Sequence, residues 1–228
     1  VERHETDLEV LASISRILAT QSGQRQMVSA VLQELEQKLG MIRGTVMLLS
    51  PDGSELLVEA ATDVPSPHRR ELRYQRGEGI LGRVVQTGQP AIVPRVSQEP
   101  QFTNRIHRRH EREAEQVGFL CVPVVLGSEV VGTLSVDLAV KASSLLEERC
   151  RLLGIVASAL AVEERRLRAE ERQSVAFGIA EAASKSTNLR ELGAYIHQEL
   201  QRLLDARNFY LALADPAGIP GAQDQILP

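Results

Sequence analysis

Aromatic residues are scarce in this chain: among 228 residues there is no Trp, and Tyr and Phe number three and four. A pocket that clasps a conjugated pigment between stacked rings has little to be built from. Cysteine is nearly absent as well, with Cys121 in an apolar strand pattern and Cys150 in a helix pattern. Two isolated, buried thiols point to a reducing compartment rather than a disulfide framework. The longest apolar runs, such as Leu120 to Leu126 and Gly154 to Val162, fall well short of the roughly 20 residues that a membrane span requires. The first residues carry no secretory-signal pattern either, so the cytoplasm is the expected compartment. Positive charge is nowhere gathered into a block: 26 Lys and Arg are scattered among 30 Asp and Glu, and the net charge is −4. No basic recognition helix stands out, which argues against direct contact with nucleic acid. A Walker loop, a Ser-His-Asp order and a catalytic-lysine pattern are also missing, so no enzyme activity is expected of this segment.

What is present is an ordinary apolar content, enough for one full domain and part of another at roughly 100 to 200 residues per domain. The start at Val1 rather than Met, and the end at Leu227-Pro228 in a polar stretch, suggest a fragment whose effector domain lies outside it. Leu8, Leu11, Ile14, Ile17 and Leu18 fall at helical spacing, and Met27, Val28, Val31, Leu32, Leu35 and Leu39 predict a second helix. Strand patterns follow at 45–49 and around Leu56, Val58 and Ala60, joined by a Ser-Pro-Asp-Gly turn at 50–53. The stretch 62–70 reads as a loop, 71–74 as a third strand, 91–93 as a short strand, and 105–115 as a solvated helix.

The densest signal runs from Arg73 to Pro94. Gly77, Gly79, Gly82 and Gly88 punctuate it, and Ile80, Leu81, Val84 and Val85 share one helical face. A short buried helix between two strands is predicted, turned at its start by Gly77 and Gly79 and capped at its end by Gly88 before Pro90. Its exposed amides would suit an anion or carboxylate; alternatively Glu78 satisfies them itself. Phe119–Leu126 and Glu129–Leu138 then form the strongest hairpin, turning at Gly127-Ser128. Val130, Gly132, Leu134 and Val136 are expected on one face, and Val131, Thr133, Ser135 and Asp137 on the other, which is partly polar as a pocket or water would require. From Ser144 a long helix is apolar at Leu145, Leu152, Val156, Ala159 and Leu160, then charged from Glu163 to Arg172, as a helix leaving its own domain would be.

The end repeats the beginning. Gln33-Glu34-Leu35 recurs as Gln198-Glu199-Leu200, and the same offset sets Ile14 on Ile179, Leu39 on Leu204, Pro51 on Pro216 and Gly53 on Gly218. Either a second copy of the domain begins here and is cut off after its first strand, or two helix pairs are alike by chance. The division expected is a sensory domain at 1–163, a helical linker at 164–175 and a truncated second copy at 176–228.

The order of elements resembles that of the GAF domain. Arg73-Tyr74, Gly77-Glu78-Gly79-Ile80, Gly82, Val84, Thr87-Gly88, Pro90, Val93-Pro94, Glu99-Pro100, Phe102, Asn104-Arg105, Cys121-Val122-Pro123 and Gly132-Thr133-Leu134-Ser135-Val136-Asp137 together are similar to the amino-terminal sensory GAF domain of NifA-like, nif-specific transcriptional activators. The resemblance implies an α+β fold: a central antiparallel sheet of about six strands, terminal helices on one face, and a small helix with loops on the other. It implies a sensory module for nitrogen-fixation transcription, acting as a homodimer through its terminal helices, with a regulatory protein as a further partner. A second copy is not the layout of those activators. The tandem GAF region of a histidine kinase, or a ligand-free dimerisation module, are the alternatives.

For effectors the resemblance implies a small molecule such as 2-oxoglutarate or a cyclic nucleotide, and no bound cofactor. Arg73, Arg76, Arg83 and Arg105 would meet a dicarboxylate, since guanidinium groups take carboxylates bidentately, or they are solvated surface residues. Gly79, Phe102, Asn104, Phe119 and Cys121 complete the expected ligand site. His107 and His110 lack a third ligand, so no metal site is expected. Cys121 and Cys150 lie within regular elements, which speaks against the thiol chemistry of a GAF-type methionine sulfoxide reductase, and no exposed Cys-His pair would attach a bilin. Leu8, Leu11 and Leu18 with Leu145, Leu152 and Val156 either make a dimeric helix bundle or cover the domain's own sheet.

Overall fold

The chain, described from a computed structural model, is given for residues 2–21, 23–50, 52–62, 64, 68, 71–103, 105–106, 115–139, 143–185 and 189–203. Two compact units divide it, Val1–Arg165 and Arg166–Pro228. In the first, helices α1 (Glu2–Thr20) and α2 (Gln24–Leu39) precede strands β1 (Ile42–Leu49), β2 (Glu55–Ala61) and β3 (Arg73–Gln75). Helix α3 (Gly79–Thr87), strand β4 (Ala91–Val93), a 3-10 turn at Val96–Gln98 and strands β5 (Val117–Leu126) and β6 (Glu129–Ala139) follow, and then α4 (Ser143–Lys185). Helix α5 (Leu189–Leu203) lies in the second unit, where Tyr195 comes close enough to Gly178 of α4 that an added methyl there would stand 2.9 Å from its hydroxyl.

The six strands form one antiparallel sheet in the order β3-β2-β1-β6-β5-β4, the α+β arrangement expected. The β5–β6 hairpin is its longest pairing and runs through the middle, from Val117 opposite Ala139 to Leu126 opposite Glu129. Alternation then assigns two faces. On one, α2 packs across β1 and β2, so closely that a side chain at Gly44 would meet Leu32 at 2.8 Å. Val122 borders a groove with Cys150 and Gly154 of α4 on that same face. On the other, Met47, Leu56, Tyr74, Phe119 and Cys121 form a cluster with Ile80, Leu81, Val84 and Val85 of α3. Each face carries its own helices.

The expected placement of Val130 needs correction. An extra residue in β6 shifts the register between Val124 and Val125, and the bulge turns Val130 onto the α3 side, where it lies against Gly88. Strand β3 begins at Arg73, two residues later than 71–74 suggests, because its partners in β2 are Glu55 to Leu57. The reading of 105–115 as a helix falls mostly outside the described residues, as does the second copy's strand after Leu203. In the β1–β2 turn, Asp52 accepts hydrogen bonds from the Ser50 hydroxyl and from the backbone and hydroxyl of Ser54, which hold its carboxyl down at about 2.

Two ends of the first unit are tied by polar contacts. Asp7 of α1 pairs with Arg149, and Gln24, at the head of α2, donates to the buried Glu164 of α4. α1 and the head of α2 are thereby each tied to the first half of α4. Leu18, Leu152 and Val156 are spent on the chain's own core, while Leu8 is 68% exposed.

Gly132 marks where β1 and β6 come closest: a Cβ there would stand 2.1 Å from the Met47 carbonyl oxygen. Gly132→Ala is expected to cost about 3 kcal/mol in urea unfolding because backbone must move. Gly127→Ala, at φ 65 with open space around it, should cost only about 1 kcal/mol.

Candidate functional site

The α3 side of the sheet is not wholly apolar. Row by row, β1 and β6 set Thr45 opposite Ser135 and Ile42 opposite Asp137, and β5 adds Cys121 opposite Ser135 and Phe119 opposite Asp137. Thr45, Thr133, Ser135 and Asp137 are all almost completely buried. Asp137 has a cation close by: the Arg43 guanidinium donates to its carboxylate at 3.0 Å. Arg43 reaches it from a left-handed backbone, φ 51, at the point where β1 takes in an extra residue between Ile42 and Thr45. That conformation costs a side-chain-bearing residue roughly 1 to 2 kcal/mol.

α3 supplies the opposite wall. Gly77 and Gly79 have φ of 87 and 60, and Gly88 caps the helix at φ 68 with its amide on the Val84 carbonyl, as the glycine spacing predicts. Gly82 admits no side chain, since a Cβ would lie 2.4 Å from the Gln75 carbonyl oxygen. The helix is thereby pressed onto the turn after β3. Glu78 does not cap it. Its carboxylate instead accepts the Gln75 amide and pairs with Arg105, and the Gln75 bond is the main reason its pKa is lowered.

A strap from Glu99 to Ile106 crosses above. Arg83 donates to Gln101 at 2.9 Å, Arg105 lies 5.2 Å over the Tyr74 ring, and the Tyr74 hydroxyl reaches the Thr103 carbonyl at 3.5 Å. Phe102 meets Phe119 edge to face at 5.1 Å. Between floor and strap lies a cavity lined by Arg43, Thr45, Ser135 and Phe119 from the sheet, Tyr74, Ile80 and Leu81 from β3 and α3, and Phe102, Thr103 and Ile106 from the strap. It offers about 20 Å³ to the centre of a water-sized molecule, room for about one water. The site is closed.

Of the expected ligand residues, Phe102 and Phe119 line this cavity. Gly79 abuts the strap at Thr103, and Cys121 lies in the adjoining apolar cluster. Arg73, Arg76, Arg83 and Arg105 have exposed side chains; Arg73 pairs with Glu55, and the structure does not bring the four together in the cavity. Asn104, His107 and His110 lie outside the described residues. Among those described, no three His, Cys, Asp or Glu are grouped to hold a metal. Burial, the main cause in each case, pushes the thiols of Cys121 and Cys150 up, so neither is poised as a thiolate at neutral pH. The lining residues not among the expected ligand residues are Arg43, Thr45, Tyr74, Ile80, Leu81, Thr103, Ile106 and Ser135. The signal for Arg43 was Asp137, a carboxylate inside an otherwise apolar strand that demands a cation.

The GAF domain family model matches residues 25–163. The nitrogen fixation protein VnfA of Azotobacter vinelandii is 32% identical over 156 residues, 68% of this chain and 30% of that protein. A nif-specific regulatory protein of Azospirillum lipoferum is 28% identical over 211 residues, 85% of this chain and 34% of its own. The chain thus spans about a third of the length of these curated relatives. The crystal structure of the A. aeolicus nlh2 GAF domain in an inactive state superposes with a TM-score of 0.62 at 20% identity, covering 71% of this chain and 97% of that one.

Because the Glu78 carboxyl is held below its ordinary value, its bonds to Gln75 and Arg105 stabilise the folded strap above the usual carboxylate range and are lost as pH falls through the lowered value. Limited proteolysis between Glu99 and Ile106 should therefore accelerate on acidification, and Glu78→Gln should abolish most of that acceleration.

Proposed function

The chain belongs to the GAF domain family, and from that premise we propose that it is the sensory module of a NifA-like, enhancer-binding transcriptional activator, taking a small molecule in the cavity beneath the strap. The observation that carries this reading is the cavity itself: a buried polar floor under an apolar roof whose closing contacts, Arg105–Glu78 and Arg83–Gln101, lie at the surface where they are weak. The similarity to nif-specific regulators supports the activator over the kinase. In the A. lipoferum protein it takes in 85% of this chain, well past the residues that the GAF model matches. The role is binding rather than catalysis. Both thiols are raised by burial, which leaves neither as a ready nucleophile. A cytoplasmic setting agrees with this, and no described helix is long and apolar enough to cross a membrane.

A ligand acts at a distance only if it prefers one arrangement of the terminal helices over another. Filling the cavity displaces Phe102, Thr103 and Ile106, and with them Phe119 on β5. The far side of β5 borders α4 at Val122, which gives the displacement a route into that helix. In our reading two copies pair through α1 and α4. Leu8, Ile155 and Val162 are 68%, 55% and 65% exposed, and the last two stand one heptad apart on α4. These replace Leu18, Leu152 and Val156 as the bundle's contact residues.

Two measurements test this reading. A panel of 2-oxoglutarate, cyclic nucleotides and small neutral amides should contain a member that raises Tm, by about 2.7 kcal/mol of stabilisation at a hundredfold excess over Kd, and that alters hydrogen exchange in α1 and 143–165. No response from any member would favour the ligand-free interaction module. In sedimentation velocity the Ile155→Glu/Val162→Glu variant should be monomeric where the parent chain is dimeric; a parent monomer at every concentration contradicts the pairing.

A further inference from the structure

Arg43 is the one charged side chain among the described residues that line the cavity, and its charge is already met there. Its guanidinium sits 3.0 Å from Asp137, whose side chain is wholly buried. Thr45 and Ser135, residues 1% and 3% exposed, flank it on neighbouring strands. The strained backbone is informative here: φ 51 at an Arg persists where the surrounding structure compels it, and such positions gather at ligand sites. The bulge in β1 does the compelling. It leaves Gly44 facing Leu32, where an added Cβ would stand 2.8 Å from a side-chain methyl, and turns Arg43 to the opposite face, toward the cavity.

The charges outside the cavity are equally informative. Arg73 pairs with Glu55 and Arg105 with Glu78, and Arg83 bonds Gln101, all on the outer surface. A ligand bearing two carboxylates would bring two negative charges into a space where the described lining offers one cation, already balanced. Burying a charge without a partner costs several kcal/mol. A neutral carbonyl suffers no such penalty, and a hydrogen bond to it from a charged donor contributes roughly 1.5 to 3 kcal/mol. The rest of the lining, chiefly Phe102, Phe119 and Ile80, suits an apolar body.

We propose that the cavity takes a small molecule with an apolar body and a single uncharged, hydrogen-bond-accepting head, and that the Arg43–Asp137 pair both holds that head and turns charged analogues away. The proposal rests on the reading of the cavity as the sensory site and narrows its ligand class. Dicarboxylates and cyclic nucleotides fall outside that class.

The test uses the isotopically labelled full chain and three probes of related size: isovaleramide, isovalerate and 2-oxoglutarate. Isovaleramide should move the Arg43 Nε–H resonance and the amides of Thr45 and Ser135, saturating at a concentration at least tenfold below isovalerate, with 2-oxoglutarate leaving them still. Asp137→Asn, which keeps the shape and removes the counter-charge, should reverse the order and make isovalerate the better ligand. Ser135→Ala, the milder change should Asp137→Asn unfold, should weaken isovaleramide several-fold while the neutral-over-charged order stays. A parent chain that saturates with isovalerate or 2-oxoglutarate at or below the amide concentration overturns the charge rule and leaves the sensory reading intact. Silence of these resonances toward all three probes overturns the proposal. The sensory reading falls separately, if the thermal panel is also silent.

Discussion

A strand in the middle of a sheet has two faces, and β6 is bound to both of its neighbours along most of its length. Every second residue must go to the α2 side, and the residues between must go to the α3 side. Leu134 and Val136, wholly buried, belong to the first set; Thr133, Ser135 and Asp137 belong to the second. A buried carboxylate in the middle of a sheet persists only if it finds a partner. The partner of Asp137 is Arg43, which reaches it from a bulge and a left-handed backbone in β1. The remaining features of the site are arranged around that pair.

The roof follows from a different economy. α3 is fixed by close approach at Gly82, whereas the described contacts of the strap include an exposed ion pair, the Arg83–Gln101 and Tyr74–Thr103 hydrogen bonds and two aromatic contacts. Exposed pairs of this sort contribute about 0 to 1 kcal/mol each. A buried polar floor under a lid held by exposed contacts is the combination that the proposed ligand site would use.

Much of this was legible in the sequence. The glycines at 77, 79, 82 and 88 announce their turn, helix and cap because each answers a steric demand that only glycine meets. The β5–β6 hairpin and its half-polar face are visible as simple alternation. Two things were hidden. The bulges in β1 and β6 insert single residues, and alternation read from a sequence cannot tell an inserted residue from a paired one, so Val130 was assigned to the wrong face. The arginines near the glycine helix looked like a carboxylate site because they are close in sequence. In space their partners are Glu55, Glu78 and Gln101, which come from β2, the head of α3 and the strap. The cation that does line the cavity lies thirty residues earlier in the chain, in a strand whose pairing brings it under the strap.

The buried pair between β1 and β6 is therefore the claim on which floor, cavity and ligand class all stand. A double-mutant cycle measures it directly, with Arg43→Met, Asp137→Asn and the combined variant compared by urea unfolding. A coupling of about 2 kcal/mol or more between the two sites is predicted, in the upper range for residues in direct contact. A coupling near zero would mean that the two side chains do not depend on each other, and the polar floor described here would lose its anchor.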